Sequence, residues 1–124
     1  MNAYNVTRNQ MLIEQGALAS TAWRRLRGLI GHRPLEAGEG LMIKPCNSVH
    51  TFFMGFPIDV VYISDNGEVV GLAQRLAPNR IGPIVRQADF VLELPAGAIE
   101  QTATQPGDLV RIEHQARPTP GPAS

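Results

Sequence analysis

Residues 46–54 read Cys46-Asn47-Ser48-Val49-His50-Thr51-Phe52-Phe53-Met54, with Asp59 five residues beyond. Cys46 is the only cysteine, and His50 is one of three histidines. A thiol and an imidazole invite two kinds of chemistry: a shared metal ion, or a nucleophile with its base. In an extended strand, residues four apart share a face but lie ~13 Å apart, too far for either. Cys46 is therefore expected to be neither a metal ligand nor a nucleophile, and no metal or cofactor is expected. His50 and Asp59 could instead act as an imidazole and its orienting carboxylate, or Asp59 as a general base. Asp59 follows Pro57-Ile58, a setting in which carboxylates also accept backbone N–H groups.

Two strands, Ser48 to Met54 and Ile58 to Ser64, are expected to form a hairpin across Gly55-Phe56-Pro57. In that register His50 faces Tyr62 and Phe53 faces Asp59, so His50 and Asp59 point to opposite faces unless a bulge shifts one strand. Ser48, His50, Phe52 and Met54 share a face, with polar groups at one end and apolar groups at the other. This is the composition of a small-ligand pocket, with Ser48 at the mouth and Met54 at the floor. A core face whose polar end reaches solvent has the same composition. The candidate ligand-binding set is Ser48, His50, Phe52, Met54 and Asp59.

Trp23, Leu26 and Ile30 recur at i, i+3 and i+7 after Ser20-Thr21, which predicts one short helix near residues 21–31. Gly31 suits its C-terminal end, and Pro34 prevents continuation. Arg24, Arg25 and Arg27 then face away from the apolar stripe. That cluster could meet an acidic partner or phosphate, dock a protein with Trp23 beside it, or be a solvated helix face. His32 and His114 are isolated. The phosphate-binding glycine patterns are absent.

The remaining elements read as short strands separated by turns. Tyr4 to Thr7 suggests an edge strand, and residues 17–20 the end of another. Leu41-Met42-Ile43 is an apolar strand limited by Pro45. Asp65-Asn66-Gly67 is a tight-turn signal leading into Glu68 to Leu72. Residues 77–86 carry Pro78, Gly82 and Pro83 and read as a loop. Ala88 to Leu94 alternates; Pro95-Ala96-Gly97 opens a turn or short helix through Thr102. Pro106-Gly107-Asp108 precedes a last strand, Leu109 to Glu113. Short connections disfavour a parallel α/β sheet and favour a mostly β, antiparallel sandwich or barrel.

The 124 residues, 44% hydrophobic and 18% charged, suit one domain, expected over 1–116. Residues 117–124 are rich in Pro and Gly and are expected to be disordered. Zero formal net charge argues against nucleic acid as a partner. No apolar run approaches the ~20 residues of a membrane span. A lone cysteine and the lack of a leader-like N-terminal run point to a soluble protein of the cytoplasm.

Five motifs in order resemble a bacterial and archaeal family, domain of unknown function one-nine-two. They are Trp23 to Gly31, Gly38-Glu39-Gly40-Leu41-Met42, Pro45 to Met54 with Phe56 to Val61, Val91 to Gly97, and Gly107-Asp108. The resemblance spans roughly residues 15 to 113. It implies a compact β-sandwich of jelly-roll type with little helix. The family has no established activity or ligand, so the resemblance transfers no functional residue. Many similar proteins are exported. The expected function is a non-catalytic binding or accessory module with a pocket around the 46–62 hairpin, for a small molecule or a protein partner. The alternatives are a hydrolase or transferase using His50 and Asp59, and a protein-docking module using Trp23 and the arginine face.

Overall fold

The computed structural model of the chain describes residues 1–19, 34–52 and 54–114. The helix expected near 21–31, with Trp23 and the arginines, lies outside the described residues, as do Phe53 and the tail from 115 onward. The described elements are β1 (Asn2–Asn5), β2 (Gln10–Ile13), β3 (Gln15–Ala19), β4 (Glu39–Ile43), β5 (Ile58–Ile63), β6 (Val69–Leu76), β7 (Phe90–Pro95), α1 (Ala98–Thr102) and β8 (Val110–Glu113). They form two open sheets, β2-β1-β8 and β3-β4-β7-β5-β6. The mostly β sandwich expected from the turn spacing is what forms, and the barrel alternative is not. All pairings are antiparallel except β3 with β4. The chain between those two strands spans residues 20–38, long enough for the return a parallel pair requires.

β5 and β7 sit in the middle of the larger sheet, and every residue of β5 is buried. Their sequences are near-continuous apolar runs because both faces are covered. On the inner face, Val61, Ile63, Leu92 and Leu94 pack against Ala3, Leu12 and Ile13 of the smaller sheet. On the outer face, Ile58, Val60, Tyr62 and Val91 pack against Val49, Met54 and Phe56, which come from a segment without regular secondary structure. Each of these large side chains contributes about 1.5–3 kcal/mol by leaving water.

The Asn66-Gly67 turn joins β5 to β6, with Ser64 N donating to Glu68 O at 2.9 Å. Gly67 has φ 87°, and a Cβ there would stand 2.9 Å from Val110 O. Only glycine satisfies both the positive φ and the close approach to β8.

Two expected strands need correction. The expected edge strand at Tyr4 to Thr7 is β1, which ends at Asn5 and is the central strand of its sheet. It pairs with β2 on one side, but its other partner, β8, lies far along the chain and leaves no local signature. Ser48 to Met54 is not a strand hairpinned to β5; the partners of β5 are β6 and β7.

A buried polar knot locks β1 to the turn before β8. Asn5, fully buried, donates from Nδ2 to Asp108 Oδ2 and to Thr104 Oγ1, both at 3.0 Å. Arg8 Nε and Gln105 N also reach Asp108 Oδ2, at 3.0 and 2.9 Å. Burial pushes the Asp108 carboxyl up, but the hydrogen bonds from Arg8, Asn5 and the Gln105 N–H, with the Arg8 charge, outweigh it and hold the pKa below 3.8. A depressed folded-state pKa stabilises the fold above the unfolded value and is lost as pH falls through the folded value. Asp108→Asn is therefore expected to destabilise the protein at neutral pH, and the difference from wild type should shrink as pH falls below about 3.8. Urea titrations of both proteins at several pH values check this.

Candidate functional site

The segment from Pro45 to Pro57 forms the cover of the outer face. Its chain is extended but pairs with the loop 79–85 rather than with a strand. Val85 N donates to Asn47 O at 2.9 Å, Gly82 N to Val49 O at 2.8 Å, and Thr51 N to Arg80 O at 2.8 Å. Thr51, fully buried, donates from Oγ1 to Ala77 O at 2.6 Å and accepts from Arg80 N at 2.9 Å. Cys46 N reaches Asp89 O at 3.0 Å, and its thiol donates to Ser48 O at 2.9 Å.

These bonds set where the predicted site residues lie. His50 stacks on Phe52, with ring centroids 5.5 Å apart and planes at 29°. Phe52 is exposed, and Ser48 and His50 are half-buried. Met54 is buried in the outer core with Val49 and Phe56. The expected single face from Ser48 to Met54 is thus divided, because the segment turns at Phe52 instead of continuing as a pleated strand. His50 Nδ1 is buried and has no hydrogen-bond partner.

Asp59 is placed elsewhere. It is fully buried in β5, and alternation along that strand puts it on the inner face with Val61 and Ile63. Oδ1 accepts from Arg75 N at 2.8 Å, and Oδ2 accepts from Gly97 N and Ile99 N at 3.1 and 2.9 Å. Gly97 is the N-cap of α1 and has no side chain to cap it; Asp59 performs that function from a neighbouring strand. The pair of His50 with Asp59 is therefore not assembled, because the sheet itself separates them.

A different acid faces the cover segment. Glu93 in β7 pairs across to Leu41 and Val60, and lies on the outer face with Val91. It is 2% exposed, and Oε2 has no hydrogen-bond partner. Burial pushes its pKa from 4.5 up to about 8, so the carboxyl is largely protonated at neutral pH. Tyr62, also fully buried, donates from its hydroxyl to Pro83 O at 2.9 Å. Burial, then the charges of Cys46 and Glu93, raise the Tyr62 pKa to about 12. Tyr62 and Glu93 thus lie beneath the cover, and Cys46 lies half-buried within it. Beside it, Pro45, Cys46, Asn47, Ala88 and Asp89 line an open recess of about 240 Å³. Glu93 escaped the search for site residues; the signal was an acid inside the apolar run Phe90-Val91-Leu92-Glu93-Leu94. Among the described residues, no group of three His, Cys, Asp or Glu side chains is placed to hold a metal ion.

A profile for DUF192, described as "Uncharacterized ACR", matches residues 5–112. The chain belongs to the DUF192 family. It is 31% identical over 109 residues to a UPF0127 protein of Pyrococcus furiosus, covering 84% of this chain and 91% of that one. It is 29% identical over 125 residues to a UPF0127 protein of Thermococcus sibiricus, covering 95% of this chain and 80% of that one. A crystal structure of a Novosphingobium aromaticivorans protein of unknown function shares the fold, with TM-score 0.78 and 20% identity over 90% of this chain and 82% of that one. The DUF192 assignment confirms the motif resemblance and supplies no chemistry. No helix among the described residues is long and apolar enough to cross a membrane.

Two outcomes test this geometry. Asp59→Ala leaves three N–H donors without an acceptor, two of them buried, and should cost about 3 kcal/mol in urea unfolding; wild-type stability in that variant would show that the carboxylate holds nothing. For Glu93, the raised folded-state pKa means that the unfolded chain ionises first as pH rises. Stability should therefore fall from about pH 4.5 to about pH 8 and then level off, by at most about 1.4 kcal/mol per pH unit. Glu93→Gln should remove that slope, as read by thermal unfolding across the window.

Proposed function

We propose that this DUF192 chain is a non-catalytic binding module for a small polar molecule. Its polar anchor is the Glu93 carboxyl, and its cover is the Pro45–Pro57 segment. The observation that carries this reading is the buried Glu93 oxygen with no partner. Leaving such a group unsatisfied costs about 1–3 kcal/mol, and a site for a ligand group is one reason for a fold to retain it. His50 Nδ1, unpartnered on the cover, supplies a second polar group. Val60, Val91 and Met54 belong to the apolar cluster on the same face. A few polar groups in apolar surroundings suit a ligand with a compact apolar body and a hydrogen-bonding group such as an amine, amide or ring nitrogen.

Catalysis by His50 with Asp59 gains no support, since Asp59 is committed to three N–H donors on the other face. The docking surface suggested by Trp23 and its arginines lies outside the described residues.

The test is a thermal-shift screen of amines, amides and nitrogen heterocycles against wild type, Glu93→Leu and His50→Ala. A binder should raise the wild-type melting temperature, fail with Glu93→Leu, and bind His50→Ala more weakly. If every compound that shifts wild type shifts Glu93→Leu equally, or none shifts wild type, the binding-module reading is wrong.

A further inference from the structure

The loop after β6 presents an apolar tip that the ligand-binding reading does not use. Ile81 and Ile84 are 70% and 69% exposed, the most of any large apolar side chains among the described residues, and Phe52 lies nearby at 37%. Their exposure is built in. The loop is pinned by Thr51 N to Arg80 O, Gly82 N to Val49 O, Tyr62 hydroxyl to Pro83 O, and Val85 N to Asn47 O, all 2.8–2.9 Å. At Gly82 a Cβ would already stand 3.0 Å from the Tyr62 hydroxyl and 3.1 Å from Val49. The backbone between the isoleucines is thus pressed onto the sheet, and the two side chains are held outward.

The charges around this tip are one-sided. Arg8, Lys44, Arg75 and Arg111 each have a carboxylate partner. Arg80 and Arg86, which flank the isoleucines, are exposed and have none among the described residues. The sequence from Val69 to Ala88 contains no Asp or Glu, and neither does that from Lys44 to Ile58. In a chain of zero net charge, these two segments carry cations and no acid of their own, and the adjacent Asp89 is paired with Lys44.

We propose that the 80–86 loop, with Phe52 beside it, docks the protein onto an anionic lipid bilayer. The isoleucines enter the headgroup boundary, and Arg80 and Arg86 meet the lipid phosphates. Exposed aliphatic side chains held outward can enter the headgroup boundary. Aliphatic side chains with flanking cations are the chemistry that such an interface rewards. This is a surface contact, distinct from crossing the membrane.

Co-sedimentation at low ionic strength tests it, using vesicles of phosphatidylcholine alone and mixed with phosphatidylserine. Wild type should pellet with the mixed vesicles and stay free with phosphatidylcholine alone. Ile81→Ser with Ile84→Ser should abolish pelleting. Arg80→Gln with Arg86→Gln should weaken partitioning about five-fold for each arginine. All four positions are exposed, so circular dichroism should match wild type; pelleting by a misfolded variant would be visible there. Glu93→Leu should pellet like wild type, which separates this proposal from the ligand site. Unchanged pelleting of the isoleucine double variant overturns the proposal. So does a wild type that ignores both vesicles.

Discussion

The Asp59 carboxylate is the interaction on which the architecture turns. It sits in a central strand with no water access and collects three backbone N–H groups from two other elements. Those donors would otherwise be unsatisfied. Two belong to the N-cap and the first turn of a five-residue helix too short to persist alone, and one to Arg75, whose φ of 50° is itself unfavourable for a side-chain-bearing residue. The bulge that creates this conformation lies opposite Asp59 in the β5–β6 ladder. One side chain therefore fixes the helix, the irregularity in β6 and the inner end of the sheet together.

Glu93 is the counterexample one strand away. Both acids are interior, and both lie in strands buried on two faces. Asp59 is satisfied because three backbone N–H groups converge on it. Glu93 meets mainly hydrocarbon and answers by keeping its proton. The inner face of the sheet is closed by a second sheet and a helix. The outer face is closed in part by two irregular segments that bond mainly to each other, and on that side the unsatisfied atoms are found.

Much of this was legible in the residues. Apolar runs bounded by Asn66-Gly67, Pro95-Ala96-Gly97 and Pro106-Gly107-Asp108 locate β5 to β8 and α1, because turn chemistry is local. The expectation that Asp59 collects backbone N–H groups also holds, but its donors lie 16, 38 and 40 residues along the chain, beyond any local pattern. The segment after Cys46 has the composition of a strand and is extended. It was misplaced because its partner is a loop with Pro78, Gly82 and Pro83, which carries no periodicity to announce a pairing. For the same reason, the face shared by Ser48, His50, Phe52 and Met54 could not be verified from spacing. Glu93 was hidden by a different rule: in a strand buried on both faces, an acid looks like the polar member of an alternating pattern.

The pairing of β1 with β8 sets the order in which this chain can be completed. Asn2 aligns with Glu113, and Asn5 with Val110. Until the last strand arrives, the first has one unpaired edge, and Asn5 lacks the Asp108 carboxylate it is buried against. A chain emerging from its N-terminus must therefore hold an incomplete two-stranded ribbon, exposed to pairing with other chains, until β8 is available. The smaller sheet is a clasp that cannot close before β8 is made, and once closed it covers the inner core.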